Sequence, residues 1–114
     1  MGNRTHNGRV RIEPSDRRVR VAVGGEVVAE SARPLLLHET GLKPRWYLPR
    51  ADVRTDLLRP TDKHTRCPWK GEASYFSVGD EEDVAWSYEA PIPGCEQIAG
   101  AISFYDDRVE LTVG

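Results

Sequence analysis

Apolar and polar positions alternate with period two through much of the chain, the spacing of strands that bury one face. Val19, Val21 and Val23 are interleaved with Arg18, Arg20 and Ala22. Gly24-Gly25 follows, and glycine supplies the positive φ that a two-residue hairpin turn requires, so Glu26 to Glu30 is expected to return antiparallel. Leu35-Leu36-Leu37 predicts a short buried strand before a turn at Gly41, and Trp46-Tyr47-Leu48 another, ended by Pro49. Proline suits the first turn of a helix, where its missing N–H is not needed, so Arg50 to Val53 is expected to make one helical turn. Further on, Ala73, Tyr75 and Ser77 alternate with Ser74, Phe76 and Val78, and Val84, Trp86 and Tyr88 with Ala85, Ser87 and Glu89. The two runs predict a hairpin around the acidic turn Asp80-Glu81-Glu82-Asp83. Pro91 and Pro93 end that ladder, because proline cannot donate to it. Cys95 to Gly100 has room for a turn or two of helix, after which Ile102, Phe104, Val109, Leu111 and Val113 predict a last hairpin turned at Asp106-Asp107.

Between these runs, residues 59–71 hold Pro60, Thr61, Asp62, Thr65, Pro68 and Gly71, which is loop chemistry. A connection of that length in a small domain is often functional. Residues 1–8 are polar and turn-rich and are expected to fray. The composite is mainly β: about eight short antiparallel strands in two packed sheets, with one or two helical turns. The expected organisation is a tail and lead-in over 1–16 and a single β-rich domain over 17–113.

Composition narrows the function classes. At 114 residues the chain fits one domain, and 39% hydrophobic residues with three Trp and four Tyr is too apolar and aromatic for a disordered chain. The longest aliphatic run is Leu35-Leu36-Leu37, far short of a membrane span. Residues 1–54 carry a basic surplus and residues 55–114 an acidic one, within a net charge of −2. The basic residues alternate with apolar ones, so they read as solvated strand faces, and no nucleic-acid partner is expected. Cys67 and Cys95 are the only cysteines and form no Cys-x-x-Cys pair, so neither a metal nor a cofactor is expected. The N-terminus lacks a signal-peptide layout, which points to the cytoplasm.

One constellation carries candidate chemistry: Thr61, His64, Thr65, Cys67 and Lys70 on the long loop, followed by Tyr75, Trp86, Tyr88 and Glu89. Cysteine, lysine, histidine and carboxylate are the side chains of nucleophilic and acid–base catalysis, and Cys67 and Lys70 are the catalytic candidates. The plainer reading of Cys67 is a small buried hydrophobe behind Pro68. Lys70, between Trp69 and Gly71, is placed to aim its ammonium at an anion or at Glu89, or to lay its stem on Trp69. Tyr47, Arg50, Thr61, Thr65, Trp86, Tyr88 and Glu89 are the candidate ligand-binding residues of a cleft between the 59–71 loop and the Trp86–Tyr88 strand. The competing expectation is a protein interaction or homodimerisation module using the same aromatics. Monomer and homodimer both stay open, as does catalysis.

The runs Trp46-Tyr47-Leu48-Pro49-Arg50-Ala51-Asp52-Val53, Leu57-Leu58-Arg59-Pro60-Thr61, Thr65-Arg66-Cys67-Pro68-Trp69-Lys70-Gly71 and Ala85-Trp86-Ser87-Tyr88-Glu89-Ala90-Pro91 together closely resemble domain-of-unknown-function family 427. The likeness extends over about residues 17–113. It implies a small, mostly β domain similar to the β-tent architecture, in which two antiparallel sheets pack across one another. Several β-tent proteins hold zinc with two Cys-x-x-Cys pairs, which this sequence lacks. The family also carries a nucleotidyltransferase-like label, yet the Gly-Ser followed by paired acidic residues that such metal-dependent chemistry uses is missing here.

Overall fold

The computed structural model describes residues 9–114. Ten strands occur in chain order: β1 (Val10–Pro14), β2 (Val19–Val23), β3 (Glu26–Ser31), β4 (Leu35–Glu39), β5 (Arg45–Leu48), β6 (Arg59–Cys67), β7 (Gly71–Val78), β8 (Glu81–Ser87), β9 (Ile102–Phe104) and β10 (Glu110–Val113). They form two antiparallel sheets. The larger runs β1-β4-β5-β9-β8-β7-β6, and the smaller runs β10-β2-β3. Three single 3-10 turns, Arg50–Asp52, Thr55–Leu57 and Glu96–Ile98, are the helical content among the described residues.

The alternation along each strand divides the large sheet into two faces. Trp46, Leu48, Phe76, Val78, Ala85, Ile102 and Phe104 point to one face, where they pack with Val19, Val21, Val28 and Ala29 of the small sheet. This is the principal core, and most of its members are buried. Each fully buried aliphatic side chain contributes about 1.5–3 kcal/mol relative to an exposed one. On the opposite face lies a second cluster, built from Val10, Ile12, Leu37, Tyr47, Ala73, Tyr75, Trp86 and Tyr88. Cys95, Ile98 and Ala101 cover part of that face.

Several expectations stand. Gly24 and Gly25 both take positive φ, 58° and 84°, in the β2–β3 turn, and Arg50–Asp52 makes its helical turn behind Pro49. The β7–β8 hairpin forms, with Val78 opposite Glu81, so the acidic run contributes Asp80 to a two-residue turn and its other members to β8. Other elements differ. Residues 59–67 are a nine-residue strand rather than a loop. β6 lies at the sheet edge with almost every residue exposed, so it has no buried face to imprint an alternating pattern. Pro60 is tolerated because an edge strand does not need every N–H. The last apolar runs do not pair with each other: β9 joins β5 and β8, whereas β10 joins β2. Val10 and Ile12 place β1 beside β4, which brings part of the expected lead-in into the large sheet. The expected fraying of residues 1–8 lies outside the described residues.

Candidate functional site

The second face of the large sheet is only partly covered, and what is left open is a cleft of about 420 Å³. That lies at the lower end of the roughly 300–1,000 Å³ typical of small-molecule sites. Strand register builds its floor. Tyr47 on β5 stands opposite Ser103 on β9, Ser103 opposite Trp86 on β8, and Trp86 opposite Tyr75 on β7. The four side chains therefore form one row across the sheet. Ser103 is the small member between two large ones, and the Trp86 indole donates from Nε1 to the Tyr47 hydroxyl at 3.0 Å. Trp86 is the hub of this platform: Tyr47 meets it edge-on at 6.3 Å between ring centroids, Tyr75 lies at 6.4 Å and Tyr105 at 4.5 Å. Such separations are those of favourable aromatic pairs.

Charge enters from the β4–β5 hairpin and from the turn before β7. Lys70 reaches the cleft floor, where its ammonium donates to Glu39 Oε1. The two side chains are only 11% and 10% exposed, which marks this as a buried ion pair. The Lys70 ammonium also stands 5.6 Å from the Tyr88 ring centre. At the opposite rim, Arg45 places its guanidinium 5.5 Å from Trp86 and 5.4 Å from Tyr105. Arg45 and Lys43 share Asp106, at 3.5 Å and 3.0 Å. Leu42, 62% exposed, stands on the hairpin turn at the cleft mouth.

Three of the cleft phenols, Tyr47, Tyr88 and Tyr105, have pKa values raised above the ordinary phenol range. Burial is the main cause for Tyr47, whose pKa is well above the usual phenol range despite the Trp86 hydrogen bond that works the other way. Tyr88 is raised likewise, by burial first and then by the neighbouring Tyr47 phenol. Tyr105 is pushed up to about 12, by burial first and then by Tyr75. Tyr88 is 5% exposed and lines the cleft, and among the described residues the buried side-chain polar atom without a hydrogen-bond partner is Ser103 Oγ, in the row beneath it.

Of the residues the sequence singled out, Tyr47, Lys70, Tyr75, Trp86 and Tyr88 line this cleft. The others lie elsewhere. Thr61 donates to Asp83 Oδ1 at 2.6 Å, and Thr65 shares a 3.0 Å hydrogen bond with the Tyr75 hydroxyl. Arg50 and Glu89 pair with each other at 2.6 Å, and Arg50 also donates to the Gly100 carbonyl and lies over Phe76. Glu89 is thus not the partner of Lys70; Glu39, from the far side of the cleft, takes that place. Cys67 is half-buried against the second cluster outside the cleft lining. Cys95 is buried, donates to the Trp69 carbonyl at 3.3 Å, and has its thiol pKa raised chiefly by burial. The expected wall of the cleft, the 59–71 segment, contributes Lys70 alone, and the β4–β5 hairpin supplies Glu39, Gly41, Leu42, Lys43 and Arg45. Sequence reading missed Leu37, Glu39, Leu42, Lys43, Arg45 and Tyr105. The one signal for them was their closeness to the Trp46-Tyr47 run and to Phe104.

His38 bonds Glu13 at 2.8 Å, and His64 lies 3.8 Å from Glu72. Among the described residues no group of three or more His, Cys, Asp or Glu is placed to hold a metal ion, and no helix is long and apolar enough to cross a membrane. Residues 11–114 match a family model labelled NTP_transf_9 and described as a domain of unknown function, DUF427. No curated protein matches the chain. The metal-held carboxylates that nucleotidyl transfer uses have no counterpart among the described residues.

Proposed function

The chain belongs to the DUF427 family, whose description names no activity, and from the geometry we propose that its aromatic cleft binds a small polar ligand. The observation that carries this reading is a buried Lys70–Glu39 pair at the base of an open aromatic platform. A platform serving stability alone would be expected to close over. The cleft offers both a cation and an anion at its base, the raised-pKa phenols of Tyr47, Tyr88 and Tyr105, and flat walls. These hold a ligand by shape and hydrogen bonding. No covalent step is part of this reading, since Cys67 stands outside the cleft.

Thermal-shift screening of a small-molecule library on the wild type and on Leu42→Trp tests it. Leu42 is exposed, so the larger ring narrows the mouth without touching the core. Compounds that raise Tm in the wild type and not in the variant support the proposal. A screen without such compounds, or with equal shifts in both proteins, rejects it.

A second reading has one observation in its favour. The outer edge of β6 has no strand neighbour among the described residues over nine positions, and a free edge is a template for another chain. A dimer in size-exclusion chromatography that Thr65→Pro dissociates would favour an interaction module.

A further inference from the structure

We infer that the ligand of this cleft is a planar aromatic carboxylate carrying one negative charge, received by the free edge of the Arg45 guanidinium. The inference rests on the cleft reading above and adds the ligand's charge and shape. Three cations border the cleft, Lys43, Arg45 and Lys70, and two carboxylates answer them. Glu39 is matched one to one by Lys70 in a pair that both partners bury. Asp106 alone is divided between Lys43 and Arg45. Arg108, the other cation near Tyr105, is taken by Glu81 at 3.3 Å. One positive charge is therefore left unanswered at the rim.

The hydrogen bonds say where it is available. Arg45 makes one side-chain hydrogen bond to the described residues, from Nη1 to Asp106 Oδ1 at 3.5 Å. Its Nε and Nη2 donors have no described partner. Those two N–H groups are one edge of the guanidinium fork, the geometry that a carboxylate accepts in bidentate fashion. Arg45 is also held in place, because its guanidinium lies over both Trp86 and Tyr105 and its side chain is only 28% exposed. A donor already fixed in position loses little freedom on binding. The same two rings select the body that enters the cleft behind the carboxylate. A flat, π-bearing body matches the Trp86 platform, whereas a saturated ring of the same size gains burial without the ring–ring term.

Four probes of one size decide the matter: benzoate, benzamide, benzamidine and cyclohexanecarboxylate, each titrated while the assigned indole N–H resonance of Trp86 is followed by NMR. Benzoate is expected to bind at least about tenfold more tightly than benzamide, the scale of one charge-assisted hydrogen bond. Benzamidine is expected to bind more weakly still, and cyclohexanecarboxylate several-fold more weakly than benzoate. Arg45→Gln should bring benzoate down to the benzamide level and leave benzamide within about twofold of its wild-type affinity. Arg45→Lys keeps the charge without the fork and should recover only part of the loss. Benzamide or benzamidine binding as tightly as benzoate, or benzoate unaffected by Arg45→Gln, overturns the anion assignment while leaving the cleft as a binding site. Cyclohexanecarboxylate equal to benzoate overturns the aromatic part. If no probe of any charge moves the Trp86 resonance, the cleft reading falls and this inference with it. The probe comparison in the wild type stands even if a variant fails to fold.

Discussion

Lys70 and Glu39 show how much one residue's role depends on a partner that the local sequence does not announce. The Pro68-Trp69-Lys70-Gly71 turn marks Lys70 as unusual, but its counter-ion stands 31 positions away on another strand, and nothing in the linear pattern couples the two. Arg45 was missed for a related reason: an arginine beside Trp46 reads as a solvated strand charge until the register reveals the rings beneath it. For the buried pair the expected outcome is specific. Lys70→Ala strands a carboxylate that is itself buried, and should cost about 3–5 kcal/mol in urea denaturation. The double replacement Lys70→Met with Glu39→Leu should recover most of that loss, because removing both charges leaves neither unpaired. The phenols give a pH test. Tyr47, Tyr88 and Tyr105 all have folded pKa values above their unfolded value near 10, with Tyr105 at about 12. Above pH about 10 the unfolded chain therefore binds fewer protons than the folded one, so stability is unaffected by these groups below that pH and falls as pH rises beyond it. Phenolate absorbance should show the more buried tyrosines ionising together with unfolding rather than before it. Ionisation of all four tyrosines in a still-folded protein would contradict the assignment.

Among the elements, strands with one buried face were legible and strands without one were not. β2, β7 and β8 carry their period-two signature openly, since the pattern records which face meets a core, and β3 followed from the Gly24-Gly25 turn. β6 carries none, because its residues are exposed on both sides. Its proline, threonines and aspartate look the same on a solvated edge as in a loop. The separation of β9 from β10 was hidden for a different reason, namely that proximity along the chain favours a hairpin whereas the second sheet offers β10 a better partner in β2. The junction of β6 with the β7–β8 hairpin depends on a non-glycine residue in left-handed backbone. Asp83 takes φ 52°, its amide donates to Ser77 Oγ at 3.0 Å, and its carboxylate accepts from Thr61. Asp83→Val combines a β-branched side chain with that φ and loses the Thr61 bond, and should destabilise by about 1–3 kcal/mol. Asp83→Asn tolerates the backbone and keeps an acceptor, so its cost should stay under about 1 kcal/mol in the same denaturation measurement.

For the whole molecule, the large sheet is shared between two tasks. Residues alternate along β5 from Arg45 in the cleft, to Trp46 in the core, to Tyr47 in the cleft floor, to Leu48 in the core. β9 does the same, with Ile102 and Phe104 facing the core and Ser103 and Tyr105 on the other side. The consequence concerns insertions and deletions. A single extra residue within such a strand exchanges its two faces, so it would deliver the cleft's aromatics to the core and the core's aliphatics to the cleft in one event. Substitutions can change the site a side chain at a time, but the reading frame of the central strands cannot slip without forfeiting fold and site together. One alanine inserted between Tyr47 and Leu48 should abolish cooperative unfolding. The same insertion at the exposed Gly79-Asp80 turn or beside Gly41, where nothing crowds the backbone, should leave a folded protein. Length variation in this chain is thereby confined to its turns, and the β4–β5 turn that bears Leu42 and Lys43 is where such variation would reshape the mouth of the cleft while sparing its floor.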